Sequence, residues 1–462
     1  MVTLADAIIE EDIYSVRQLL QYGEKANQLD EYGFTPLVEA AIVDNIEITQ
    51  LLLQAGANPN QQDVTGGTPL QWATENNNLD LCKLLLEHRA DPNAYNFSGQ
   101  PILVMPMLRQ QKLLTQLLYQ YGADQVFAQD FINTKLLGHS YELVGTGDIV
   151  DPHNHFVEVD FEGFFLEVTI GLIADSVHQF QNHYAARQLR RYGGIVNLIV
   201  DIMLRASQLI KYQQYRVNLK KYKKTIENLI KQEPLIIPLG YEGHAITFVK
   251  YGDILAKCDR REESRLYDNI MYYRVKNPQT FNVEFIKHVL YEKLSDEFVN
   301  VELPSILNLQ PLTELRVEAQ VSGNCSWANV EACIPTLFFL ILTQMDPDPN
   351  NMAHFKTLAL NFFHRWREWN KDRVLQFLIQ SFKKSDSIRK ACKAEILAAI
   401  LFQYSNMQQA ADKQRLISIL EVLSNSPCAY VLQNYLRVYY YMNPTEEGKR
   451  FAQLLKEYGY LM

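Results

Sequence analysis

Apolar residues change their spacing several times along the chain, and each spacing predicts a different element. Val157, Val159 and Phe161 alternate with Glu158, Asp160 and Glu162, the period-two signature of a half-buried strand. Ile195, Ile199, Ile202, Ala206 and Leu209 lead into Tyr212, Tyr215, Leu219, Tyr222, Ile226 and Leu229. Steps of three and four predict a long amphipathic helix or helix pair with one apolar seam. Two apolar runs, one ending in Ala245-Ile-Thr-Phe-Val and one starting at Ile254, flank Gly252-Asp253 and predict a hairpin. Beyond Gln344 the linker Asp346-Pro-Asp-Pro-Asn precedes helical stripes such as Leu375, Phe377, Leu378 and Phe382, then Ile396, Leu397, Ile400 and Leu401.

Repetition dominates the first 140 residues. Thr35-Pro36-Leu37 recurs as Thr68-Pro69-Leu70, with Pro101-Ile102 in the corresponding place one period later. Gly23, Gly56, Arg89 and Gly122 step by 33, as do Asn27, Asn60 and Asn93. A Thr-Pro-Leu repeat of that period resembles the ankyrin repeat, a helix pair plus a turn. Val38 and Gln71 stand where the family has histidine, which removes a local hydrogen bond. About four units are expected, the outer two degenerate as solenoid ends are. Such an array implies a surface that holds another protein, with Asp30, Tyr32, Phe34, Asp63, Thr65, Tyr95 and Phe97 as its partner-facing residues.

Composition narrows the class further. A chain of 462 residues with 47% hydrophobic and 21% charged residues is globular and holds several domains. The six cysteines lack C-x-x-C pairing, which favours free thiols over a zinc ribbon. Met1-Val-Thr-Leu-Ala-Asp has no basic and apolar leader, and Ile334–Leu342 is too short to cross a bilayer, so neither a Sec signal peptide nor a membrane span is expected. A net charge of −9 argues against nonspecific nucleic-acid binding. Lys211, Arg216, Lys220, Lys221, Lys223 and Lys224 are basic residues interleaved with tyrosines, but the tyrosines fall on the packing seam, which makes this a solvated face. His364-Arg-Trp366-Arg367-Glu-Trp369 is likewise expected to be one amphipathic helix packing its tryptophans. Asp151-Pro-His153-Asn-His155 lacks the further ligands a metal site needs and is expected to be a solvated loop. No cofactor is implied.

Candidate chemistry lies in Gln320-Val-Ser-Gly323-Asn324-Cys325-Ser-Trp327-Ala328-Asn329, a loop delivering a cysteine to the first turn of an apolar helix. Helical N–H groups there favour thiolate over thiol. Gln320 is placed to donate, with the Cys325 N–H, to an oxyanion formed when the thiolate attacks a carbonyl. His244 opens one strand of the predicted hairpin and Asp259 closes the other, so the turn brings imidazole and carboxylate together. Asp253 is the rival acid, at the turn tip. Cys258 should face the opposite side from Asp259.

Gln320, Cys325 and Trp327-Ala328, with a histidine strand and an acid strand, resemble the papain-like cysteine peptidases. That resemblance implies Cys325 as nucleophile, His244 as general base, Asp259 as orienting acid and Gln320 as oxyanion donor. The order His, Asp, Cys departs from the family's Cys, His, Asn and implies a circular permutation. Tryptophan also follows the cysteine by two positions instead of one. The expected architecture is multidomain α plus α+β. Residues 1–140 form an ankyrin solenoid, and residues 141–345 a permuted papain-like α+β domain with a long helical insertion around 184–232. Residues 346–462 form a helical C-terminal domain. This combination is similar to the ankyrin-repeat effectors that Legionella injects through type IV secretion. It implies a monomer acting on a host protein in the host cytoplasm, with the nucleus as a second compartment. The expected activity is thiol-dependent hydrolysis of an amide or isopeptide bond. Alternatives are a non-catalytic scaffold that sequesters a host complex, and glutamine deamidation or transglutamination.

Overall fold

A computed structural model describes residues 3–213, 219–241, 243–261, 270–321, 323–404 and 410–461. Tyr215 and Arg216 of the predicted seam and basic face, and the side chains of Leu219, Lys220 and Lys221, lie outside the described residues. Four helix pairs open the chain: Leu4–Ile9 with Ile13–Gln21, Pro36–Ile42 with Ile46–Gln54, Pro69–Glu75 with Leu79–Glu87, and Val104–Leu108 with Lys112–Gln120. The Thr-Pro-Leu signature is a helix start. Thr35 Oγ1 accepts the Val38 N–H at 3.0 Å and Thr68 Oγ1 accepts the Gln71 N–H at 3.3 Å. Proline follows at the position where a missing N–H costs nothing.

The asparagines give the 33-residue period its physical cause. Asn27, Asn60 and Asn93 each donate through Nδ2 to a carbonyl of the following unit, on Gly56, Arg89 and Gly122, all at 2.9 Å. Their Oδ1 atoms accept the N–H groups of Asn58, Asp91 and Asp124 at 2.7 Å. Each amide therefore staples one unit to the next. The carbonyl-bearing residue ends a helix in the left-handed region, where Arg89 sits at φ 68° among glycines. At the tips, Asp30, Asp63 and Asn96 each accept the N–H groups two and four residues on, closing identical turns.

Those turns sort the seven residues expected to face a partner. Tyr32 and Phe97 stand out from the tips, 67% and 73% exposed. Asp63 is buried, its carboxylate satisfied by Thr65, Gly67 and, at 2.7 Å, the Trp72 indole N–H. Phe34 and Tyr95 turn inward against Trp72 and Phe127. Asp30, Asp63, Phe34 and Tyr95 thus shape the tips, the two acids through the turn N–H groups they accept and the two rings through their packing.

A two-stranded ribbon, β1 (Thr146–Val150) and β2 (Phe156–Asp160), caps the array. Val157 and Val159 join the repeat core, as their alternation requires. Asp151 closes the connecting turn by accepting the His153 and His155 N–H groups, both at 2.8 Å. Downstream lie the helices Leu166–Asn182, Gly193–Ile210 and Leu219–Ile230, the middle one inside the central core. A five-stranded antiparallel meander then runs in chain order: β3 (Leu235–Tyr241), β4 (His244–Tyr251), β5 (Ile254–Cys258), β6 (Ile270–Val275) and β7 (Leu309–Leu315). One sheet face buries Ile236, Val249, Ala256 and Cys258 in the core shared with the helices Cys325–Glu331 and Cys333–Met345. The other buries Ile237, Ile246, Phe248 and Leu255 against Leu219–Ile230 and Val283–Tyr291.

Two helical stretches, Tyr184–Ile210 and Cys325–Met345, are long and apolar enough by length and composition to cross a membrane. Neither is a clear membrane span, since a helix buried in a protein core passes the same test of length and composition. The apolar run at Ile334–Leu342 is extended in both directions by neighbouring helical residues, and its side chains fill the central core.

The C-terminal part is helical, and its first helix, Met352–Lys384, serves two cores. Phe355, Phe362, Phe363 and Trp366 enter the central core, whereas Leu375, Leu378, Ile379 and Phe382 enter a C-terminal core with Ser387–Gln403 and Glu446–Glu457. The junction helix Gln125–Ser140 is buried along most of its length, and Leu136 packs against the repeat, central and C-terminal cores. Repeats, a mixed α/β region with two sheets and a helical end follow one another as expected. Replacing Asn60 by Ala removes one staple and should cost about 1 kcal/mol locally. Hydrogen exchange at the Asp91 amide should then accelerate while Val249 in β4 stays protected; unchanged exchange at Asp91 would mean the staples do not hold the units in register.

Candidate active site

The β4–β5 register places the histidine and the acid side by side. Thr247 pairs with Cys258, so the strand ends carrying His244 and Asp259 lie at the same edge of the sheet. His244 Nε2 donates to Asp259 Oδ1 at 3.1 Å, which leaves Nδ1 as the ring nitrogen not taken up by the acid, and the Cys325 sulfur is among the groups that raise the ring's pKa. The Tyr241 ring stands edge-on to His244 with centroids 5.7 Å apart. Asp259 is held in turn by Arg261, at 3.0 and 3.2 Å, and by Lys257 at 3.4 Å. Asp253 sits at the far end of the hairpin, exposed and paired with Arg274. Cys258 points to the opposite side from Asp259, its sulfur 3.3 Å from Thr336 Oγ1.

Cys325 is the first residue of its helix, and it differs from the other five cysteines. Those five are buried, while Cys325 is half-exposed. Burial pushes the Cys82 and Cys392 thiols up to about 12. Burial acts upward on Cys325 too, but the His244 ring and the Ala245 N–H outweigh it and hold the thiol below its ordinary value. For His244 burial favours the neutral ring, and the hydrogen bonds to Asp259 and Cys325 reverse that, so its pKa is raised. Asp259 is likewise opposed by burial and then carried well below the usual carboxylate range by His244, Arg261 and Lys257. A lowered thiol beside a raised imidazole favours the thiolate–imidazolium pair.

The loop before Cys325 is fixed from both sides. Gln320 donates its backbone N–H to the Arg260 carbonyl at 2.8 Å, which brings it next to the acid strand. Its side-chain Oε1 is buried without a partner among the described residues. Gly323 adopts φ 83°, the left-handed region that favours glycine, and a Cβ there would displace the Glu162 carboxyl, 2.0 Å away. Asn324 accepts a hydrogen bond from His139 Nδ1 at 2.7 Å. Burial drives the His139 pKa down to about 4, so its ring is neutral, and it stacks on Trp327 at 5.1 Å and 5°.

Sequence reasoning missed one side chain that organises the site. Asn329, 1% exposed, accepts the Arg260 N–H at 2.8 Å and donates to the Ala245 carbonyl at 2.6 Å. A single amide therefore ties the cysteine helix to the residues that follow His244 and Asp259. Its signal in the sequence is its position four residues after Cys325, on the same helical face.

Repeats running into a mixed α/β region, with an ionisable cysteine at a helix start and a helical end, define a composite ankyrin-repeat protein. An ankyrin-repeat family model matches residues 4–96 as three copies, and the fourth helix pair lies beyond that stretch. No curated protein matches the chain significantly. The solved structure of the Legionella effector AnkH is similar, with 38% identity, 99% of this chain and 98% of that chain covered, and a TM-score of 0.86. The chain belongs to the AnkH family of ankyrin-repeat effectors.

Substituting Ala at Asn329 strands a buried N–H and a buried carbonyl, costing about 1–3 kcal/mol. The urea midpoint should fall, and Cys325 should lose about tenfold in alkylation rate at pH 6. Asn329→Asp keeps the acceptor for Arg260 but loses the donor to Ala245, and should fall between the two. Rates and midpoints equal to those of the parent protein would remove Asn329 from the site.

Proposed function

We propose that this protein is an effector that holds a host protein on its ankyrin array and attacks a carbonyl of that protein through Cys325. The reading rests above all on one observation, the His244–Asp259 hydrogen bond beside a cysteine that opens a helix and whose thiol the His244 ring holds below its ordinary pKa. In it the thiolate adds to an amide or isopeptide carbonyl, the His244 imidazolium protonates the leaving amine, and water, deprotonated by His244, resolves the thioester. The Cys325 N–H and the Gln320 amide stand beside the carbonyl oxygen as it gains charge. Glutamine side chains are substrates of the same chemistry, with ammonia as the leaving group. Ankyrin repeats and the likeness to AnkH support the coarser part of the reading, a host-protein-binding effector. Tyr32 and Phe97 at the exposed tips are the contacts proposed for that partner.

The pKa directions set the expected pH dependence. Thiolate is lost only as pH falls through the lowered Cys325 value, and the imidazolium only as pH rises through the raised His244 value. Iodoacetamide at pH 6 should therefore label Cys325 on the order of tenfold or more faster than the five buried cysteines, and His244→Ala should erase the difference. Equal labelling of all six thiols would defeat the catalytic reading. Host-cell lysate treated with the protein should yield new protein termini or glutamine-to-glutamate conversions by mass spectrometry, absent with Cys325→Ala. Identical peptide maps, with capture of the partner intact, would leave a binding protein alone.

A further inference from the structure

The segment His364 to Trp369, expected from the sequence to pack as one amphipathic face, does so only in part. Trp366 and Arg367 are buried, but His364, Arg365 and Trp369 line a groove of about 710 Å³ between Met352–Lys384 and the 3₁₀ segment Tyr184–Tyr192. Arg373 on the long helix and His183 and Arg187 across from it complete the basic lining. None of these residues belongs to the thiol site.

The charges in the groove are unevenly matched. Its two acids, Glu368 and Asp372, are both bonded to Arg415, at 2.8 and 2.7 Å. The three arginines have no carboxylate within ion-pair distance among the described residues. Arg365 donates to the Gln188 side chain at 2.6 Å, and Arg373 to Asn370 and Gln179, all neutral acceptors. Burial holds the Arg373 pKa below its ordinary value, with Asp175 giving only partial relief. His183 accepts the Ala185 N–H through Nδ1, so in the neutral ring Nε2 carries the proton and is a donor. Such a cluster is short of negative charge.

We infer that this groove binds a compact anion carrying more than one phosphate. Guanidinium groups arriving from two separate elements suit an anion with several oxygens in different directions, which a phosphate offers and a single carboxylate does not. The volume lies within the range of small-molecule sites. Trp369 is already engaged by Arg373, His183 and Phe180, with centroid distances of 5.4 to 5.6 Å. Recognition therefore rests on charge and not on stacking a base.

Titration calorimetry on the full chain tests this with inorganic tripolyphosphate, with vesicles of phosphatidylcholine containing or lacking a phosphoinositide, and with polyglutamate. Tripolyphosphate should bind at one saturable site. Arg187→Gln combined with Arg365→Gln, both partly or fully exposed and so compatible with folding, should weaken it by about tenfold per arginine. Phosphoinositide-dependent vesicle binding lost in the same variant also supports the site and identifies a lipid headgroup as the source. Unsaturable binding, binding equal in parent and variant, or binding of polyglutamate alone overturns the proposal.

Discussion

Two buried arginines, the buried Glu331 and the partly buried Glu142 hold the working parts of this molecule together. Arg260, fully enclosed, reaches Glu142 at 3.1 Å and Glu331 at 3.5 Å, and Arg367 reaches the same two acids at 2.9 and 3.3 Å. Guanidinium does not lose its proton in proteins, so each charge needs a partner inside the fold. The four residues come from four places: the end of the junction helix, the acid strand, the cysteine helix and the long C-terminal helix. No one of these segments shifts without stranding a charge in a medium that solvates it poorly.

That cluster explains why the site is tightly built although its residues are far apart in the chain. Glu331 lies two residues beyond Asn329, and Arg260 directly follows Asp259. The ion cluster and the amide tether therefore clamp the same two segments from adjacent positions. His139 adds a third restraint through Asn324 and Trp327, and it comes from the helix into which the repeats run. The Cys325 sulfur is thus mechanically continuous with the ankyrin array.

Much of this was legible in the sequence wherever the determining contacts are local. Asparagines 33 residues apart and Thr-Pro-Leu starts encode the repeats, because each staple and cap joins neighbouring units. The His244–Asp259 pairing followed from hairpin geometry, since a tight turn leaves the strand ends little choice. What escaped were partners fixed only by the whole fold: Asn329 to Ala245, Arg260 to Glu142, Lys257 and Arg261 on Asp259. A lone Asn or Arg carries no periodicity to announce its partner. The inward turn of Asp63, Phe34 and Tyr95 was hidden for another reason, because turn-forming and partner-facing residues share one composition.

The 33-residue helix Met352–Lys384 gives its aromatic first half to one core and its aliphatic second half to another. Recombination that exchanges whole modules would find no clean seam at that rod. Any cut along it takes away interior that belongs to the other half, so the two halves are expected to be inherited as one piece.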